Sequence, residues 1–395
     1  MAPSESETCS NFAMAVDGQC DPAFRAVREV FEANLADGRD SGAAVAVFVG
    51  GELVVDLWGG VADAKTGRAW VRDTPCVSFS CTKAVTATAA LMIAEREDID
   101  LTEPVARWWP EYARCGKEHT TTEDLLTHRA GLPAFTQPLT PADAADAEAM
   151  AARLAAQEPV WVPGTRHGYH ALTFGWLVGE LVRRHTGDTV GAFARAHIGS
   201  ELWIGAPAEV AARAARVGFP PESQMRWAPE ELAIDNEALR NLAAAYRDPD
   251  SLLMRASTNP SGSYNDPAVL GGGWPGAGMV TTPRALATFY RDLLRGDLLA
   301  PATLREAIRE RVRGADEVLL LDSAFGLGFM RPSPSFRLPA AARASAFGHP
   351  GAGGSIGLGD PDHDVAFAFI PNLRRDGLAG DRRAYDLVEA VYAAL

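Results

Sequence analysis

Strand-patterned segments lie near both ends of this chain, and the long stretch between them is patterned as helix. That distribution limits the fold more than any other feature. Near the start, AAVAVFV (43–49) and ELVVDLW (52–58) flank Gly50-Gly51 and read as two strands joined by a tight turn. The segment GGVADAKTGRAW (59–70) reads as a further turn leading into a strand. Near the end, EVLLLD (317–322), FGLGFM (325–330), GGSIGLGD (353–360) and DVAFAFIPN (364–372) are short, β-prone and separated by turn residues. One antiparallel sheet built from both ends of the chain is predicted, with a mainly helical domain inserted. The expected division is 18–83 with 265–395 for the sheet domain and 84–264 for the helical one, after a polar leader over 1–17.

The helices announce themselves by spacing. Asp21 can cap a helix on which Phe24, Val27, Phe31 and Leu35 recur at helical intervals. TKAVTATAALMIAE (82–95) lacks glycine and proline and is apolar on nearly all sides, so it is predicted to be buried all round. The alanine-rich stretch Ala142–Ala156 and FGWLVGELVRRHTG (174–187), closed by Gly187, are further helices. A final helix places Ala384, Leu387, Val388, Val391 and Leu395 on one face, ready to cover the sheet.

Charge and composition exclude some roles. With 395 residues and a formal net charge of −14, a nucleic-acid partner is disfavoured. No apolar run is long enough for a membrane span, and MAPSESETCSNFAMAVDGQ has no signal-peptide pattern. Five cysteines (Cys9, Cys20, Cys76, Cys81, Cys115) form no CxxC pair, so a reducing cytoplasm is the expected compartment. The eight histidines show no metal-ligand spacing, and neither a metal nor an organic cofactor is expected.

Three local patterns compete for the chemistry. Ser80-Cys81-Thr82-Lys83 is an S-x-x-K at the start of the apolar helix, where positions i and i+3 share a face. The helix dipole favours developing negative charge there, and burial would depress the lysine pKa so that it can accept a proton. Gly353-Gly354-Ser355-Ile356-Gly357 matches G-x-S-x-G, but that motif needs a helix directly after it, and here a turn and the strand VAFAFI follow. Lys65-Thr66-Gly67 is a literal K-T-G, yet it precedes Ser80 and sits in a turn. Lysine occurs only at Lys65, Lys83 and Lys117, so few residues could serve as an amine base. Ser80 is the favoured nucleophile.

The ordered motifs SFSCTKAVTA (78–87), LLTHRAGLP (125–133), PGTRHGYHALTFGWLVGEL (163–181) and FGHPGAGGSIGLGDP (347–361) resemble esterases related to class C β-lactamases, the family VIII carboxylesterases. The resemblance runs from about residue 20 to the C-terminus. It implies the β-lactamase/penicillin-binding-protein fold, α/β (α+β), with the site between the sheet domain and the helical one. It also implies Ser80 as the acylated nucleophile, Lys83 as its partner and Tyr169 as the tyrosine of a Y-x-N motif, a phenolate proton shuttle. His349-Pro350-Gly351 takes the place of K-T-G, and the N–H groups of Ser80 and Ala352 would form the oxyanion hole.

Two departures bear on substrate. Ala171 stands where β-lactamases carry the asparagine of Y-x-N, and His349 stands where they carry a charged lysine. Both losses remove polar handles for a lactam or D-alanyl peptide, and an uncharged ester needs neither. Trp161, Phe135 and His170, with His349 and Gly351, are the expected substrate contacts. The expected activity is hydrolysis of short- to medium-chain esters, the substrate being a small molecule. The alternatives are a β-lactamase or D-amino-acid peptidase on the same fold, an acyltransferase, or a non-catalytic penicillin-binding sensor. Nothing in the sequence points to an oligomeric state.

Overall fold

The alternation of small and large apolar residues in the predicted strands becomes, in the computed structural model, a sheet covered on both faces. The structure describes residues 15–219, 236–375 and 381–395. Most of the polar leader, with Cys9, lies outside them.

The main sheet has seven strands. From one edge they run β1 (Val16–Cys20), β3 (Glu52–Asp63), β2 (Gly42–Val49), β12 (Val365–Pro371), β11 (Ile356–Asp360) and β10 (Phe347–Pro350), and β4 (Arg68–Ala69) pairs with the far end of β3. Every pairing is antiparallel. The two ends of the chain meet where β2 lies against β12, Val49 opposite Val365 and Ala43 opposite Pro371.

Side chains on these central strands divide between two cores as the period of two requires. Ala44, Ala46 and Phe48, with Ala366, Ala368 and Ile370, face helix α4 (Pro283–Arg295) and the helical body beyond it. Ala43, Val45 and Val47, with Val365, Phe367 and Phe369, face α1 (Arg25–Ala36) and α5 (Arg382–Tyr392), which pack on each other. A central strand buried on both faces reads as a continuous apolar run, and AAVAVFV does.

Helix α2 (Thr82–Glu97) is buried along nearly its whole length, against α3 (Thr173–Thr186) among others. Gly175 on α3 lets the chain at Pro275-Gly276 lie against it; a Cβ there would stand 2.1 Å from the Gly276 nitrogen. Gly187 caps α3 with φ 79, as its position predicts. A small second sheet, β5 (Cys76–Val77), β7 (Met279–Thr281) and β6 (Trp203–Ile204), delivers the chain to Ser80.

Three readings need correction. EVLLLD is not a strand: residues 317–320 form a turn with Leu320 at φ 57, and the strand there is β9 (Asp322–Phe325), paired with β8 (Val312–Ala315). The Asp316 carboxylate takes the N–H groups of Val318 and Leu319, which are buried in this turn rather than extended in a strand. FGLGFM contributes only Phe325 to a strand, and Gly328 turns the chain at φ 80. Leu395 is 51% exposed and leaves the buried face of α5, which ends at Tyr392.

Candidate active site

The turn that presents Ser80 is held before the helix begins. Phe79 adopts φ 49, a left-handed conformation that costs a branched-out side chain energy and that surrounding contacts must fix. Its ring packs edge-on against Tyr264 at 4.9 Å. Thr82 Oγ1 donates to Phe79 O at 2.5 Å and accepts from the Met279 N–H at 3.0 Å, tying the turn to β7. Residues Phe79–Cys81 form one 3₁₀ turn running into α2, so Ser80 and Lys83 share a face.

Lys83 is fully buried. Its Nζ lies 3.2 Å from Ser80 Oγ and donates to Ala171 O and Gly276 O, each at 2.7 Å. Burial holds its pKa well below the usual 10.5. An uncharged amine has two N–H bonds and one lone pair. In that form, which burial favours, the two carbonyls would take the N–H bonds and the lone pair would face the serine hydroxyl.

Tyr169 lies under the same amine, with Nζ 4.7 Å from the ring centroid. Its hydroxyl is buried without a hydrogen-bond partner among the described residues, and burial raises its pKa strongly despite the approach to Ser80. Burial thus disfavours both the phenolate that the family resemblance implies and a charged amine beside it. His349, on β10 opposite Gly357, sits 5.8 Å from the Tyr169 ring. Its Nδ1–H donates to Pro350 O at 2.6 Å, and burial, with Lys83 nearby, lowers its pKa to about 3.

Gly351 and Ala352 lie on the turn between β10 and β11, which packs on the Ser80 turn. Gly351 must lack a side chain: a Cβ would stand 2.1 Å from Ser355 Oγ and 2.5 Å from Ser78 O. The Gly351 N–H donates to Ser355 O at 2.7 Å, and the Ala352 N–H finds no acceptor among the described residues. Arg383, buried in α5, donates to Gly353 O at 2.7 Å and anchors this turn from behind.

The expected site residues do not all converge. Ser355 donates its hydroxyl to Ser78 O at 3.0 Å and is 1% exposed, so it buttresses the turn that carries Ser80. Both nitrogens of His170 are taken by main chain, Nε2 accepting from the Leu132 N–H and Nδ1–H donating to Gly168 O, so neither is free to bond a substrate. Phe135 is buried edge-on against Trp176 in the helical core. Trp161 is half-buried beside Gly168 and edge-on to His170. Cys81 is sealed in, its thiol donating to His349 O and pushed up to about 12 by burial, so it is no rival nucleophile.

Sequence reasoning missed His128, whose ring lies 5.1 Å from Tyr169 and 4.5 Å from Phe325. It also missed the Gly276 carbonyl. The signals were the histidine in LLTHRAGLP and the glycine cluster GGGWPGAG (271–278).

The family model described as Beta-lactamase matches residues 27–391. The chain belongs to the beta-lactamase family. Among curated proteins, this beta-lactamase-family chain is 33% identical over 375 residues to Esterase/beta-lactamase LipL of Mycobacterium tuberculosis, spanning 90% of this chain and 83% of LipL. Among solved structures, a family VIII carboxylesterase superposes with a TM-score of 0.84 at 32% identity, covering 96% of this chain and all of the other. A penicillin-binding-protein homologue from Caulobacter crescentus gives 0.83 at 36%, with the same coverage. EstA from Arthrobacter nitroguajacolicus gives 0.80 at 30%, covering 95% and 97%. Among the described residues of this family member, no helix is long and apolar enough to cross a membrane.

Proposed function

We propose that this chain is a serine carboxylesterase that cleaves short- to medium-chain esters through an acyl-enzyme on Ser80. The observation that carries the reading is the Lys83 amine, saturated by two carbonyls and open only towards Ser80 Oγ. Ser80 attacks the ester carbonyl while its proton passes to the Lys83 lone pair. The oxyanion rests on the N–H groups of Ser80 and Ala352. When the tetrahedral intermediate collapses, the leaving alkoxide takes the Tyr169 hydroxyl proton, and the Lys83 ammonium returns the serine's proton to the phenolate. Water then repeats the sequence on the acyl-enzyme and releases the acid.

The substrate preference follows from two side chains. A His349 with a pKa of about 3 is neutral at physiological pH and cannot hold a carboxylate, and Ala171 offers no amide to an acylamino group. Both favour an uncharged ester. The site would lie between the sheet domain, 18–83 with 265–395, and the helical domain, 84–264. The free thiols of Cys20, Cys76, Cys81 and Cys115 support a reducing compartment, the cytoplasm.

Lactam hydrolysis is the second reading, because LipL carries both activities in its name. Purified protein assayed with p-nitrophenyl butyrate and a chromogenic cephalosporin separates them. The expected kcat/KM for the ester exceeds that for the lactam by about 100-fold or more, as two lost polar contacts would give. Comparable values would favour the second reading.

A further inference from the structure

Among the described residues no hydrogen bond within normal geometry holds the Tyr169 hydroxyl, yet the proposed chemistry needs it in a fixed place. What fixes it lies 147 residues away in sequence. Asp316 is buried, and its Oδ1 accepts the Tyr169 N–H at 2.9 Å, the Val318 N–H at 2.9 Å and the Leu319 N–H at 2.8 Å. Its Oδ2 accepts the Ser323 hydroxyl at 2.8 Å, and Ser323 Oγ in turn lies 2.9 Å from His167 Nε2. Because Ser323 spends its proton on Asp316, the His167 nitrogen must be the donor in that contact. The Glu317 N–H also donates to His167 O at 3.1 Å.

One carboxylate thus ties down both His167 and Tyr169, on either side of Gly168. A Cβ on Gly168 would stand 2.8 Å from the Trp161 ring and 3.0 Å from Val318, so the segment is gripped from two sides. The same stretch that carries Asp316 and Ser323 ends at Phe325, whose ring is parallel to Tyr169 within 8° at 6.4 Å.

We infer that Asp316 is the positioning residue for Tyr169, acting through the tyrosine's main-chain N–H and, by way of Ser323 and His167, through the segment that carries it. The inference rests on the role proposed above for Tyr169. Its charge is not what matters. A nearby anion disfavours a phenolate, so a role in activating Tyr169 electrostatically has the wrong sign. Asparagine should therefore replace aspartate: its carbonyl oxygen can take the three N–H groups while its amide donates to Ser323 Oγ.

A double-mutant cycle on the full chain tests this, with kcat and KM for p-nitrophenyl butyrate measured for Asp316→Ala, Asp316→Asn, Tyr169→Phe and the Asp316→Ala/Tyr169→Phe pair. Displacing a reacting group by about an ångström costs on the order of 100-fold. Asp316→Ala is expected to lower kcat by about 10- to 100-fold with KM within about threefold, and Asp316→Asn to restore kcat to within about fivefold of wild type. In the Tyr169→Phe background the alanine change should alter kcat by less than about threefold, since no hydroxyl is left to misplace. A wild-type kcat in Asp316→Ala, or the same loss in both backgrounds, overturns the inference. If Asp316→Ala does not fold, Ser323→Ala is carried through the same cycle. A loss confined to the Tyr169 background supports the inference, and equal losses overturn it. Phosphonate labelling of the wild type separates the two layers. A label on Ser80 with an additive cycle sinks only the role of Asp316, whereas absence of that label sinks the mechanism and the inference with it.

Discussion

Two buried lysines in this molecule are built almost alike, and only one of them faces a serine hydroxyl. Lys83 and Lys117 are each fully buried, each over a tyrosine ring, at 4.7 Å from Tyr169 and 5.3 Å from Tyr112. Each donates to two main-chain carbonyls, Ala171 and Gly276 for Lys83, Ala155 and Gln157 for Lys117. Burial lowers both pKa values, and both tyrosine hydroxyls are buried without a partner among the described residues. The difference lies in the third direction from the nitrogen. At Lys83 it holds Ser80 Oγ, and at Lys117 it holds no hydroxyl among the described residues. A buried lysine above a tyrosine is thus first a way to tie loops together. In the proposed mechanism a serine one helical turn away turns it into a base.

Breaking each lysine should separate the two roles by the largest margin. Lys83→Ala is expected to lower kcat by about 10³-fold, within the usual range for a general base, while Lys117→Ala leaves kcat near wild type. Lys117→Ala instead strands two buried carbonyls and should cost about 1–3 kcal/mol of stability in denaturant melts. The two tyrosines sharpen the contrast at a smaller scale. Tyr169→Phe should reduce kcat by about 10²-fold, and Tyr112→Phe, which removes an unpartnered hydroxyl, should change neither kcat nor stability measurably.

The smallest expected effect is in the pH dependence. The proposed mechanism needs unprotonated Lys83, so kcat/KM should rise with pH through a lysine pKa held well below 10.5 and then level off. His349 and His170, both lowered to about 3, stay neutral from about pH 4 upward and add no step near neutrality. The same lowered pKa has a cost for folding. Between the folded pKa of Lys83 and 10.5 the unfolded chain binds the extra proton, so the lysine's penalty is full below that window and vanishes above it. Lys83→Met should therefore be more stable than wild type at low and neutral pH, with the gap closing towards pH 10.5; melts across that range check the sign.

What the sequence revealed depended on how local each signal was. AAVAVFV and DVAFAFIPN were legible as strands because burial on both faces left unbroken apolar runs between turns. Ser80 and Lys83 were legible because three residues in a helical turn fix their meeting. Tyr169 came only from the likeness to a family, since one tyrosine in PGTRHGYHA has no pattern of its own. His170, its neighbour, was expected at the substrate, but it turns its ring into the main chain of Leu132 and Gly168. Asp316 was hidden because three of its four partners are backbone N–H groups, which no side-chain motif records. The run that follows it looked like a strand for the same reason, its hydrogen bonds being spent on a carboxylate.

The central claim is that Ser80 is the nucleophile and that Ser355, though it sits in the more familiar motif, is a brace for the turn at Ser78. Mass spectrometry of protein treated with a p-nitrophenyl phosphonate ester, followed by digestion and fragment sequencing, tests it directly. The expected result is one phosphonyl group on Ser80, lost in Ser80→Ala and kept in Ser355→Ala. A label on Ser355, or on neither serine, would contradict the account.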